Sequence, residues 1–454
     1  MDRKVYGLIE NSREEFVETL KKWISVPSVK DKPEDGAPFG REVRNALDLA
    51  VKTGEEMGFA TRNIDGYACD ITYGDGEEEI AVLGHLDVVP AGDGWEQNPF
   101  EAVVKDGKIY GRGTSDDKGP SLAALFALKA IKDAGIKLKK SVKVILGCDE
   151  ESGWEDMEYY SAHAKMPDTG FSPDASFPLI NTEKGMIHMS FTAPEAKDGL
   201  KVIRMSTGER VNVIPGESSA LLAGGEELAE RIRRYAKETG QKYEAKVTGE
   251  GVWVKATGIP GHSAYPEGKV NAIRLMLKLL KEMGAKGAPE IMADALGNDP
   301  YGIGLECDCA DEISGRLTCN IGILKLEKGQ WYGTLDFRCP VTADQEEIKE
   351  STRAHMPGFG FRLMEQKPPH HVPAESELVT SLLAAYEEET GKKGEAISTG
   401  GGTYAKVLKQ GVAFGASFPG EEDVAHQAGE YASIDNLMMS MKIYANAILR
   451  LAAE

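Results

Sequence analysis

The feature that most limits what this chain can fold into is a pair of short apolar runs that each break off into clustered charge. Residues 80–83 (IAVL) lead directly into GHLDVVP at 84–90, and residues 142–146 (VKVIL) lead into CDEESG at 148–153. Runs of this length and composition read as buried strands. Between them, residues 121–134 read as a small-residue helix closed by Gly135. Strand, helix and strand in alternation predict an α/β fold, a mostly parallel sheet flanked by helices on both faces. In such sheets, sites gather at the carboxyl ends of the strands. The polar motifs fall there.

Other segments fill in the organisation. Ser12 and Glu15 have capping-box spacing ahead of Phe16, Leu20, Trp23 and Ile24, a helical pattern stopped near Pro27. Residues 41–57 read as a second helix closed by Gly58. From about 183 to 373 the texture changes to strand-like, glycine-punctuated segments with a helix at 271–283. A helix at 377–389, a glycine-rich loop at 399–403, an apolar run at 412–416 and a last helix at 434–451 follow. The expected organisation is one α/β domain, residues 1–183 plus 373–454, interrupted by an inserted α+β domain at 184–372.

With 454 residues, 41% of them hydrophobic, the chain can bury a sizeable core. A formal charge of -20 and a pI near 5.0 argue against nucleic acid or an anionic membrane as partner, because both need basic surface. No stretch approaches the roughly 20 apolar residues of a membrane span, and the first residues carry no secretory pattern. Six scattered cysteines do not make a disulfide framework. A cytoplasmic location with reduced thiols is expected.

His85 and Asp87 are two residues apart, so in extended chain they point the same way. An imidazole beside a carboxylate suits a metal ligand and the group that orients it, although it also suits a polar strand end. In YGRGTSDDKGP the adjacent acids Asp116 and Asp117 precede a helix, as metal ligands or as an acidic N-cap. Asp149, Glu150 and Glu151 at a strand end would repel one another unless a cation compensates or solvent surrounds them. Neighbouring glutamates can divide labour, one ligating a metal and the other accepting a proton from activated water. FSPDASFP around Asp174 and EDVAHQAGEY around His426 are weak signals singly. Together the set offers two histidines and several carboxylates. Nitrogen and oxygen donors without thiolate suit zinc, manganese or cobalt in a working site better than a structural zinc.

In order and approximate spacing, GHLDVVP, GRGTSDDKGP, DEESG, SPDASFP and AHQAGEY resemble the co-catalytic metallopeptidase family of carboxypeptidase G, aminoacylases and carnosinases. Within it, DDKGP, the Pro-Asp-Ala segment and the long insertion are most similar to the bacterial PepV-type dipeptidases. The resemblance implies two divalent metal ions, zinc first and manganese or cobalt as alternatives. It implies that Asp116 bridges them, with a cis peptide bond to Asp117. His85 and Asp174 would complete one site, and Glu151 and His426 the other. Asp87 would orient His85, and Glu150 would be the general base. From the insertion, Asn212 and His262 would face the oxyanion and Arg338 the substrate carboxylate, which a planar guanidinium fits. The loop of Gly400, Gly401 and Thr403 would hold substrate through backbone N–H groups.

The implied activity is hydrolysis of dipeptides or very short peptides by a monomer whose partner is a small peptide. An N-acyl or N-succinyl amino acid deacylase, or a non-catalytic binding protein on the same scaffold, are the alternatives. Cys307, Cys309, His370 and His371 read as structural or surface residues, and Cys148 as a buried strand residue.

Overall fold

The computed structural model describes residues 2–297 and 299–453. They divide into two compact units, residues 2–182 with 371–397 and 402–453, and residues 183–297 and 299–370 with 398–401.

The first unit is built on a sheet whose main strands are β1 (Ala60–Ile64), β2 (Ala68–Tyr73), β3 (Glu79–His85), β4 (Ser141–Gly147), β5 (Thr169–Ser172) and β6 (Leu179–Glu183). Their order is β1-β2-β4-β3-β5, then Gln410–Ala413, then β6. The centre of the sheet is parallel: β3 lies between β4 and β5, and Gln410–Ala413 runs parallel to β5. The flanks are antiparallel, through a β1–β2 hairpin laid on β4 and through β6. In register, His85 pairs with Gly147, so the two apolar runs end side by side and release their polar motifs at the same level.

The helix after β3 spans Lys118–Ala134 and is buried nearly all round, from Leu122 through Leu128 and again at Ala130 and Ile131. Small side chains let it lie closely between neighbouring elements, the last helix Ile434–Ala452 among them. It begins a turn earlier than the sequence pattern predicts, because Gly119 and Pro120 sit in its first turn, where proline costs no intrahelical bond. Gly135, in the left-handed conformation, closes it. At Gly84 only a hydrogen fits. A Cβ there would come within 1.9 Å of Ser121 Oγ and 2.6 Å of Asp117 Oδ2.

The amino-terminal end differs from the expectation. Two helices are present, Arg3–Asn11 and Arg13–Ile24, and Ser12 joins them without capping the second. Its hydroxyl donates back to the Ile9 carbonyl at 2.8 Å. Asp2 is the working cap, its carboxylate accepting the N–H groups of Lys4 and Val5.

The second unit is α+β. Its eight-stranded sheet is antiparallel and comprises β7 (Gly185–Pro194), β8 (Val202–Thr207), β9 (Glu217–Leu222), β10 (Tyr243–Thr248), β11 (Gly251–Thr257), β12 (Thr318–Glu327), β13 (Gln330–Cys339) and β14 (Gly360–Lys367). The order is β10-β11-β9-β8-β12-β13-β7-β14. In β11, Val252, Val254 and Ala256 are buried in alternation with more exposed neighbours, the pattern of a sheet with one face in the core. Helix Ala272–Glu282 is capped by Asn271, which accepts the N–H groups of Ile273 and Arg274. Among the described residues, no helix is long and apolar enough to cross a membrane.

Candidate metal centre

The ends of β3 and β4 carry the site because of one carboxylate. Asp87 Oδ1 accepts the N–H of Glu150 and Oδ2 that of Glu151, each at 3.1 Å, which ties the turn after β4 to the turn after β3. From the other side, Asp156 Oδ2 accepts the N–H groups of Cys148 at 2.5 Å and Asp149 at 2.9 Å, and the Tyr404 hydroxyl donates to the same oxygen. Asp149 turns away to an ion pair with Lys30 at 2.6 Å and accepts the Glu155 N–H at 3.1 Å. Of the three successive acids, one is therefore structural and two remain for chemistry.

Asp116 is the meeting point of the donors. Its Oδ1 lies 3.0 Å from His85 Nε2, and its Oδ2 lies 3.0 Å from His426 Nε2. Asp174 Oδ2 reaches within 3.6 Å of His85 Nε2, and Glu151 Oε1 within 2.9 Å of His426 Nε2. Two donor sets result, His85–Asp116–Asp174 and Asp116–Glu151–His426, each with donor atoms close enough to share one ion and with Asp116 common to both. The Asp116–Asp117 peptide bond is cis. His85 Nδ1 lies nearer the Asp87 carbonyl, at 2.9 Å, than the Asp87 carboxylate, at 3.5 Å. The ring is thus oriented by the backbone of Asp87, while its side chain holds the glutamates. His85 is wholly buried, whereas the His426 side chain is 43% exposed and has φ of 63°, a conformation costing roughly 1–2 kcal/mol for a residue with a Cβ. Beside the set lies a cavity of about 390 Å³ lined by Ser115, Asp116, Asp174, Phe418, Glu422 and Asn436, among others.

The electrostatics suit a cation. Burial opposes charge on Asp116, yet the two imidazoles hold its carboxyl far below the usual carboxylate range. Hydrogen bonds to Asp116 and Glu151 raise His426 to about 11. Burial works against a charged His85, but Asp116 and Asp174 carry it well above the ordinary imidazole value. Burial and the charge of Asp116 push Glu151 up to about 7, and burial with Asp174 pushes Glu150 well above its ordinary value. Three carboxylates, those of Asp116, Asp174 and Glu151, thus converge on two imidazoles, with protons on the rings compensating part of the negative charge. Divalent ions compensate it more fully and release those protons, which is how such ligand sets ordinarily bind. The donor set fits divalent metal.

Two further residues support the donors: Glu430, which was not singled out from the sequence, and Asp117, which was read there as one of two adjacent acids. Glu430 is wholly buried. Its Oε1 accepts the N–H groups of Gly113 and Ser115 at 3.0 Å and of Asp116 at 3.3 Å, and Oε2 meets Arg112 Nη1 at 2.5 Å. Asp117 Oδ2 accepts the His85 N–H at 3.2 Å and the Ser121 hydroxyl at 2.6 Å. Glu430 lies inside a motif singled out from the sequence, where the glutamate of AGEY was the available signal.

In the second unit, the Asn212 carbonyl accepts the Ser263 N–H at 3.0 Å, and Val213 pairs with His262, so Asn212 and His262 lie close together. His262 is exposed, and its Nδ1 accepts the Ala264 N–H at 3.2 Å. Arg338 is buried on β13. Its Nη1 donates to the Gly400 carbonyl at 2.9 Å and its Nη2 to Asp336 Oδ2 at 3.1 Å. The glycine-rich loop is divided between the units. Gly400 and Gly401 belong to the second and Thr403 to the first, where Thr403 Oγ1 accepts the Ala405 N–H at 3.1 Å. His371 is half-buried and bonded to Thr182 at 2.8 Å. Cys148 and Cys307 are buried, Cys309 is exposed, and all three are free thiols.

A family model described as "Peptidase family M20/M25/M40" matches residues 81–450. A Bacillus subtilis protein bearing the name "Putative dipeptidase YtjP" is 40% identical over 97% of this chain and 98% of its own length. A Staphylococcus epidermidis protein named in the same way is 34% identical over 97% of each. Among solved structures, human carnosine dipeptidase 1 superposes with a TM-score of 0.60 at 16% identity, covering 99% of each chain. The dipeptidase Dug1p of Saccharomyces cerevisiae gives 0.62 at 16% identity over 98% of each, and at these identities both likenesses bear on the fold.

Proposed function

The chain belongs to peptidase family M20/M25/M40, and on that premise we propose that it is a dipeptidase working with two divalent ions. It is a metal-dependent hydrolase acting on peptides. The dipeptide assignment draws on the names carried by its 40% and 34% identical relatives. The observation that carries the two-ion reading is Asp116, with one carboxylate oxygen turned to each histidine at 3.0 Å.

In this reading His85, Asp116 and Asp174 hold one ion, and Asp116, Glu151 and His426 the other. Zinc is proposed first, with manganese and cobalt as alternatives, since the donors are nitrogen and oxygen. Ions bound there supply Lewis acidity and lower the pKa of a water to about 7. Glu150, anchored by its N–H on Asp87, takes the proton from the attacking water and returns it to the leaving amine. His262 and Asn212 donate to the developing oxyanion. Arg338 binds the substrate's free carboxylate with the N–H groups left over from Asp336 and Gly400, and the Gly400–Thr403 loop assists. Residues 184–372 form the lid in this scheme, and the chain acts as a cytosolic monomer.

A matched panel tests it: dipeptides, the same dipeptides amidated at the C-terminus, and N-acyl amino acids. Dipeptides are expected to be turned over fastest. Preference for N-acyl amino acids would replace this reading with a deacylase, and no turnover of any of them with metal bound would point to a binding protein.

A further inference from the structure

We infer that Asp336 is a positioning residue which fixes the carboxylate-binding Arg338 and the His262 segment as one unit; this rests on the roles proposed above for Arg338 and His262. Asp336 is wholly buried on β13 and, two residues from Arg338, shares its side of the strand. Its Oδ2 accepts Arg338 Nη2 at 3.1 Å, and its Oδ1 lies 2.9 Å from Arg338 Nε. The hydroxyl of Ser263, the neighbour of His262, donates to the same Oδ2. His188 Nε2 stands 3.4 Å from Oδ1 on the adjoining strand, with Glu365 on that ring's other nitrogen at 3.2 Å.

One carboxylate therefore anchors two segments that the proposed reaction needs in register. A third joins them. Arg338 Nη1 donates to the Gly400 carbonyl, and Gly400 lies so close to Ala264 that a Cβ would come within 2.6 Å of the alanine's own. Segments 262–264, 336–338 and 399–401 thus meet at the Asp336–Arg338 pair. The pair engages one edge of the guanidinium, which sets the direction in which its remaining N–H groups point. A guanidinium without that brace keeps its charge and loses its aim, and the fork geometry is what distinguishes a carboxylate from an amide.

The test compares a free dipeptide with its C-terminal amide in wild type, Asp336→Asn, Ser263→Ala and Arg338→Ala, each loaded with the same metal. Asp336→Asn is expected to raise KM for the free dipeptide by about 10-fold or more, a typical result of misplacing a binding group, while KM for the amide barely moves. Ser263→Ala cuts only the arm to His262, so kcat is expected to fall several-fold with the preference for the free carboxylate intact. Should Asp336→Asn depress both substrates alike, or change neither, Asp336 has no positioning role. If Asp336→Asn does not fold, a Ser263→Ala enzyme with wild-type kcat overturns the inference by itself. Should Arg338→Ala keep the full preference for the free carboxylate, the role given to Arg338 fails first, an outcome distinct from losing the preference in Arg338→Ala alone.

Discussion

Glu430 and Arg112 form a wholly buried ion pair, 2.5 Å between Oε2 and Nη1, across 318 positions of sequence. The other oxygen of Glu430 gathers the N–H groups of Gly113, Ser115 and Asp116. The backbone that presents the shared ligand is therefore held by a residue that is not itself one of the metal donors.

Glu430→Gln should accordingly be felt at the metal. Removing one member of a buried pair costs about 3–5 kcal/mol, and loss of a group that supports a ligand typically weakens metal binding by about 10–100-fold. Thermal unfolding and calorimetric metal titration, run below the variant's transition, check both. Unchanged affinity in a destabilised protein would make Glu430 purely structural.

The two glutamates after β4 should separate cleanly. Glu150→Gln is expected to retain metal and lose about 10²–10⁴-fold in kcat, the usual worth of a general base. Glu151→Gln is expected to lose one ion. Steady-state kinetics with elemental analysis of each variant reads the difference, and the reverse pattern would exchange their roles.

His262→Ala is expected to lower kcat by about 10²–10³-fold with metal content unchanged, in keeping with loss of an oxyanion donor. Wild-type kcat in this variant would remove the second unit's histidine from the chemistry.

A pH dependence should trace to His188. Burial opposes its charge, but Asp336 and Glu365 raise it above the ordinary imidazole value. The stability this histidine contributes is therefore complete below its unfolded value, about pH 6.5, and is lost as pH rises through the higher folded value. Thermal melts between pH 6 and pH 9 should show a smaller loss of stability with pH in His188→Gln than in wild type. Equal losses in the two proteins would take His188 out of the pH dependence.

Two of the donors, His85 and Glu151, could be read from the sequence because they follow apolar runs. IAVL and VKVIL marked the strands, and the register of His85 with Gly147 brings their ends together. What stayed hidden was the division of labour among like residues. Nothing in CDEESG says that Asp149 pairs with Lys30 while Glu150 and Glu151 hang from Asp87, because those partners lie 119 and more than 60 positions away. The pairing of Glu430 with Arg112, 318 positions apart, was hidden for the same reason. Asp336 was legible in principle, since positions two apart on a strand share a face. The antiparallel flank also carried a signal, for Asp65 and Gly66 between β1 and β2 both take positive φ in an Asp-Gly turn. At the amino end, the capping-box spacing of Ser12 lost to tertiary context, because a preceding helix supplied the Ile9 carbonyl to its hydroxyl.

The central claim is that Asp116 serves two ions at once, and the most direct measurement is metal stoichiometry by elemental analysis of wild type and Asp116→Asn, with dipeptide turnover followed in parallel. About two divalent ions per chain are expected in the active wild type, with the variant losing affinity at both sites and nearly all activity. A single tightly held ion supporting full turnover, or an Asp116→Asn protein that keeps both ions and its rate, would contradict it.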